Sequence, residues 1–119
     1  MLHYASLSAS DLARSAAFYD AVVAPLGWRR QEDGAETVGW GLNKPELYIT
    51  RQGPAGGGSC LISLAAKSIP AVRASFESGV ENGGEPVDEP GSPPSHGAGN
   101  YAARLRDPDG NLVEICVAP

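Results

Sequence analysis

Residues 6–27 read SLSASDLARSAAFYDAVVAPLG, and residues 63–84 read SLAAKSIPAVRASFESGVENGG. Set 57 positions apart, they are identical at Ser6/Ser63, Leu7/Leu64, Ala9/Ala66, Ala17/Ala74, Val23/Val80 and Gly27/Gly84. Leu12 meets Ile69, Tyr19 meets Phe76 and Asp20 meets Glu77, so character is kept as well as identity. Self-similarity at a fixed period means one supersecondary unit used twice. Chance alignment of two Ala/Ser-rich helices is the competing reading. In the first copy Leu2–Ala9 reads as a strand, and Ser10 or Asp11 offers an N-cap. Leu12, Ala16, Tyr19, Val23 and Leu26 then recur at helical spacing, which predicts an amphipathic helix over Asp11–Pro25, ended by Pro25 and Gly27.

Outward from the repeat, Trp28–Gln31, Thr37–Leu42 and Glu46–Arg51 read as strands, with turns at Asp33-Gly34 and Asn43-Lys44-Pro45. The second copy repeats the order: strand Cys60–Ala66, helix Ile69–Glu81, a long loop, then strands Tyr101–Arg106 and Asn111–Val117. The class is α+β, a single domain over residues 1–119 with one module at about 1–52 and the other at about 60–119. Glycine and proline make 15 and 10 of 119 residues, concentrated in Gln52–Ser59 and Gly83–Gly99. The first stretch reads as a connector and the second as a long loop, and long loops in compact domains are more often functional than idle.

Composition removes several classes. Lys+Arg 9 against Asp+Glu 14 gives a net charge of −5 with no basic cluster, which argues against a nucleic-acid partner. No apolar run approaches the roughly 20 residues of a membrane span. Met1–Ser10 lacks a basic and an apolar signal region, so a cytoplasmic location with reduced thiols is expected. Cys60 and Cys116 are too few for a disulfide scaffold, fall in strand-like runs with their faces differing, and read as packed apolar thiols.

Asp107-Pro108-Asp109-Gly110 predicts a tight hairpin: Pro108-Asp109 suits the centre of a type I turn, and Gly110 supplies the left-handed residue. That loop pairs Asp107 with Asn111 and, counting back, Arg104 with Glu114. Val113, Ile115 and Val117 then form an apolar face under the helices, with Leu112, Glu114 and Cys116 on the other. A calcium loop is the competing reading of the two aspartates, but the remaining ligands are missing.

These features resemble the vicinal oxygen chelate superfamily: glyoxalase I, bleomycin-resistance proteins and extradiol dioxygenases. The carrying residues are Ser10-Asp11-Leu12-Ala13-Arg14-Ser15 with Phe18-Tyr19, Pro25-Leu26-Gly27-Trp28, and Asp107-Pro108-Asp109-Gly110-Asn111 leading to Glu114. The resemblance covers nearly the whole chain and is specific for fold, not for activity. It implies two βαβββ modules forming a cupped, barrel-like mixed sheet around a cavity, often completed in a homodimer. It implies a small-molecule ligand and, in the metalloenzymes, a divalent ion held by one inward His or Glu near each of four strands. Such an ion acts as a Lewis acid on adjacent substrate oxygens. Zinc, nickel, manganese or iron would serve, and a metal-free cavity is the reading these residues favour.

On the resemblance, counting back from Asp11 puts the first-strand ligand position at Tyr4, with His3 one residue off, and the repeat puts Leu61 at the matching place. A one-residue shift turns a strand side chain to the opposite face. Ala5, Leu7 and Ala9 read as the helix-packing face, leaving Tyr4, Ser6 and Ser8 inward. Tyr48 stands where symmetry with Glu114 would want a carboxylate, and Glu46 shares its face. Glu114 is therefore the one ligand-type residue at its family position. It reads as metal ligand or general base, as the ion-pair partner of Arg104, or as the group positioning Arg104 for an anionic substrate. His96, in the Pro/Gly-rich loop beside Asn100 and Tyr101, reads as a surface residue, or as a proton donor or metal ligand at the cavity mouth. Trp28 and Trp40 read as core or interface, although Trp40 could floor the cavity.

The expected function is a glyoxalase-like protein acting on, or binding, an oxygenated anionic compound in a cavity lined by Tyr4, Ser6, Tyr48, Leu61, Tyr101, Arg104 and Glu114. In an enzyme, a lyase or isomerase more than a dioxygenase, Glu114 supplies the carboxylate and His96 transfers the proton. One alternative is a non-catalytic sequestering protein of the bleomycin-resistance type. Another is a divalent-metal lyase or dioxygenase, if a bulge near Met1–Tyr4 turns His3 inward to join His96 and Glu114.

Overall fold

The computed structural model describes residues 4–51, 60–91 and 101–117. The first module runs β1 (Ala5–Ala9), α1 (Leu12–Val23), a single 3-10 turn (Ala24–Leu26), β2 (Arg29–Asp33), β3 (Thr37–Gly41) and β4 (Leu47–Arg51). The second runs β5 (Leu61–Ala66), α2 (Ile69–Glu81), β6 (Glu85–Gly91), β7 (Ala102–Arg106) and β8 (Leu112–Val117). Strand order is β1-β4-β3-β2 in one sheet and β5-β8-β7-β6 in the other, the same mixed topology twice. The first strand of each module pairs parallel with the last: Ser6 lies against Tyr48, and Ser63 against Glu114. The sheets remain two cupped four-stranded halves and do not close into a barrel.

Local chemistry starts each helix. The Asp11 carboxylate accepts from the Arg14 N–H at 3.1 Å, and the Ser68 hydroxyl from the Ala71 N–H at 3.2 Å. Each supplies one of the acceptors that a helix N-terminus otherwise lacks. Phe18, Tyr19 and Val22 of α1 and Val72 and Phe76 of α2 join Trp40, Ile49, Leu105 and Ile115 in a single buried core. The helices touch directly, and the Ser75 hydroxyl donates to the Val22 carbonyl at 2.6 Å. Gly79 permits this approach. A Cβ there would meet Leu105 at 2.6 Å and Val22 at 2.8 Å.

The hairpin register is the expected one, with Arg104 opposite Glu114, and Gly110 holds φ +90°. The turn does more than reverse the chain. The Asp107 carboxylate accepts from the N–H groups of Asp109 and Asn111, the Asn111 amide and the Tyr19 hydroxyl. The Asp109 carboxylate accepts from the Ser10 N–H, the Ser10 hydroxyl and the Ser15 hydroxyl. Both aspartates are thus saturated by protein donors, so the turn reading holds and the calcium-loop reading does not.

Three expectations need correction. Much of the segment expected as a loop from Gly83 is the edge strand β6. Pro86 and Pro90 hid it, because proline is confined to sheet edges and bulges, and β6 has both: its register slips around Asp88. Trp40 does not floor a cavity. It lies on the helix side of β3, fully buried, with Nε1 donating to Asp20 at 2.8 Å. Cys60 is not packed: it is exposed just before β5, and both cysteines are free thiols.

Candidate functional site

Alternation sorts each strand into two faces. Leu7, Ala9, Val38, Trp40, Leu64, Ala66, Leu105, Val113 and Ile115 face the helices and are buried. The opposite faces carry Tyr4, Ser6, Ser8, Tyr48 and Thr50 in the first module, and Leu61, Ser63, Arg104, Arg106 and Glu114 in the second. This is the parity expected from sequence. The faces are open in the single chain, however: Tyr4 is 54% exposed, Leu61 60%, and Ser6, Ser8 and Ser63 are exposed as well. Both helix-bearing sides feed one core, so the polar faces lie at the surface.

On the second module's face, three adjacent strands present Ser63, Glu114 and Arg104 side by side. The Ser63 hydroxyl donates to Glu114 Oε1 at 2.8 Å, and Arg104 Nε donates to Glu114 Oε2 at 3.2 Å. The Glu114 side chain is 14% exposed and that of Arg104 26%, so the pair is shielded from much of the solvent. Asp88 Oδ2 stands 3.9 Å from Arg104 Nε on the more open β6 edge. Arg106, two residues along, donates from Nη1 to the Gly110 carbonyl at 3.0 Å. Glu114 thus holds the Nε side of Arg104 and orients the guanidinium. A guanidinium fixed in this way presents its terminal N–H groups as a planar fork for a carboxylate-like acceptor.

The equivalent face of the first module is built differently. Tyr48 occupies the place of Glu114 beside Ser6, and Gly39 occupies the place of Arg104. The Tyr48 ring lies across the β3 backbone where Gly39 leaves room: a Cβ at Gly39 would meet the ring at 2.9 and 3.0 Å. Tyr4 meets Tyr48 edge to face, with centroids 5.2 Å apart and planes at 81°. This is a half-open aromatic corner, with Glu46 the charged residue on the same face. Glu46 is exposed and lines a cleft of about 200 Å³ with Tyr4, Trp28, Ile62 and Ser63.

The described residues do not fit a divalent ion. Of the four positions, Tyr4, Leu61 and Tyr48 offer no carboxylate, imidazole or thiolate. Glu114 is engaged by a guanidinium and a hydroxyl. Among the described residues, no three His, Cys, Asp or Glu side chains come together as a ligand set. His3 and His96 lie outside the described residues. Tyr101 is separated from the other expected residues. Its strand parity is that of Ala103 and Leu105, and its hydroxyl accepts from Arg73 Nε of α2 at 2.9 Å. The sequence reading missed Ser63, Asp88 and Gly39. Ser63 was signalled by its repeat partner Ser6 and by its pairing with Glu114; Asp88 was hidden with β6.

A family model described as the Glyoxalase/Bleomycin resistance protein/Dioxygenase superfamily matches residues 1–115. No curated protein matches the chain. Among solved structures, a glyoxalase/bleomycin resistance protein from Albidiferax ferrireducens T118 is similar at 27% identity and TM-score 0.78, covering 98% of both chains. A glyoxalase/bleomycin resistance protein/dioxygenase family enzyme from Burkholderia phytofirmans PsJN is 19% identical at TM-score 0.75, covering 99% of this chain and 98% of its own. A fosfomycin resistance protein from Mesorhizobium loti is 13% identical at TM-score 0.69, covering 98% and 90%. The last two likenesses speak to fold alone.

Proposed function

The chain belongs to the Glyoxalase/Bleomycin resistance protein/Dioxygenase superfamily, and from that premise we propose that it binds an oxygenated, anionic small molecule on its polar sheet faces. The cavity is lined by Tyr4, Ser6, Tyr48, Leu61, Arg104 and Glu114. A second copy of the chain covers these faces in a homodimer, which works in the cytoplasm. The observation that carries the reading is the Ser63–Glu114–Arg104 arrangement, a half-buried guanidinium with its Nε side already held. Binding, as in a sequestering protein, is favoured over turnover because Glu114 is engaged by two donors and is poorly free to take a substrate proton. If turnover is found, Glu114 is the carboxylate and His96 the proton-transfer group.

Calorimetry with small carboxylates tests the binding claim. Arg104→Gln should weaken affinity at least tenfold, as the loss of a charge-assisted bidentate contact implies. Unchanged affinity would sink the assignment. Sedimentation velocity tests the homodimer, and a monomer at micromolar concentration would refute it. Elemental analysis of protein incubated with zinc, nickel, manganese or iron(II) tests the metal. Stoichiometric retention that disappears in Glu114→Ala would replace this reading with a metal-dependent one involving His3 and His96.

A further inference from the structure

In the first module, Arg30 of β2 reaches across to α1. Its Nε and Nη2 donate to the two oxygens of Asp20 at 2.9 and 2.7 Å. The 57-residue offset puts Glu77 of α2 where α1 has Asp20. Sheet register locates the other partner. Tyr48 and Glu114 hold equivalent places, so Leu47 and Val113 do as well, and these lie opposite Trp40 and Leu105. Arg30 is opposite Trp40, and Pro86 is opposite Leu105. Pro86 of β6 therefore stands where β2 has Arg30: the second module keeps the carboxylate and lacks the cation. Beside Pro86 lies a groove of about 610 Å³ between α2 and β6, lined by Val80, Pro86 and Val87 and by Glu77, Glu81 and Glu89. We infer that this groove binds a small organic cation: a guanidinium or amidinium group for Glu77, carried on an apolar body. It is a second site, on the helix side of the sheet and apart from the polar faces proposed above.

The charge of the groove is of one sign. Its three carboxylates come from both banks, Glu77 and Glu81 from α2 and Glu89 from β6, and its lining holds no cation. Among the described residues no Lys, Arg or His makes an ion pair with any of the three. Arg73, one turn earlier on α2, is a charge neighbour of Glu77 but gives its Nε to the Tyr101 hydroxyl at 2.9 Å. A planar cation matches a carboxylate with two parallel hydrogen bonds, as Arg30 does with Asp20. Val87, 44% exposed, offers apolar surface to the rest of the ligand. The volume lies in the range of small-molecule sites. A peptide strand is a poor occupant, because Pro86 and Pro90 leave β6 without two of the N–H groups that strand addition needs.

The test compares phenylguanidinium with phenylurea, which share a shape while only the first is charged at neutral pH. In an NMR titration of the full-length protein, phenylguanidinium should bind at least about tenfold more tightly, as expected of charge-assisted over neutral hydrogen bonds. The largest amide shifts should fall on α2 and β6. Glu77→Gln should bring the ratio toward one. Pro86→Arg should abolish binding by giving the second module the internal cation that the first already has, with circular dichroism checking that each variant is folded. A net charge of −5 attracts any cation, so Glu32→Gln combined with Glu36→Gln lowers the charge on the other module and should leave the ratio unchanged. Equal binding of the two probes overturns the inference. So does a preference that survives in folded Glu77→Gln and Pro86→Arg, or one that falls equally in the Glu32/Glu36 variant. Dissociation of an oligomer by phenylguanidinium, read by sedimentation velocity, would give the groove to a second copy and overturn the small-molecule assignment.

Discussion

Tyr19 shows how much one hydroxyl can hold. Its ring is buried against Phe18 and Trp40, and its O–H donates to Asp107 at 2.7 Å. Burial, then the Asp107 charge and hydrogen bond, push its ionisation far above the ordinary phenol range. A group whose folded pKa is raised stabilises fully below its unfolded pKa and loses that stabilisation as pH rises. Stability should therefore fall above pH ~10, where an unfolded tyrosine ionises. Tyr19→Phe should flatten that alkaline limb and lower neutral-pH stability by about 1.5 kcal/mol, read from urea midpoints at each pH. The carboxylates behave oppositely. Burial alone would raise Asp20, but hydrogen bonds from Arg30 and Trp40 and the Arg30 charge bring it below its usual range. Asp109 is also pulled up by burial and brought lower by Ser10, Ser15 and Arg14. Their contribution is present above pH ~4 and lost as pH falls further. Asp109→Asn should make the acid limb of the melting curve shallower.

The elements most legible in the sequence were those with periodicity and caps. α1 and α2 could be read from their apolar spacing and from Asp11 and Ser68, and the last hairpin from Asp107 to Gly110. β6 was not legible, since a seven-residue strand with two prolines and two register slips satisfies none of the usual strand signals. On the site, parity sorted Tyr4, Ser6, Tyr48, Arg104 and Glu114 correctly onto the polar faces. It could not reveal that these faces are open in one chain, because face exposure depends on how the two modules pack. Nor could it reveal where the Tyr101 ring goes, which is settled by Arg73 on a different element. Two predictions belong at this scale. Asp11→Ala removes the α1 cap and should cost about 1 kcal/mol, measured by thermal denaturation. Replacing Pro86 and Pro90 together with valine should let the exposed β6 edge recruit other chains, seen as concentration-dependent light scattering absent from the unaltered protein.

At the scale of the molecule, similarity of the modules does not make them independent. Phe18 fits against Gly79 and Gly84 of the other half, and Ser75 bonds back to Val22. No helix among the described residues is long and apolar enough to cross a membrane. The apolar helix faces are buried in the shared core, against each other and against the sheets. A fragment ending at residue 51 should lack a cooperative thermal transition, whereas two fragments mixed together should regain one. The tie between Ser10 and Asp109 spans 99 positions. That bond can form only once the turn between β7 and β8 exists, so the entry to α1 is tied to a hairpin of the other module.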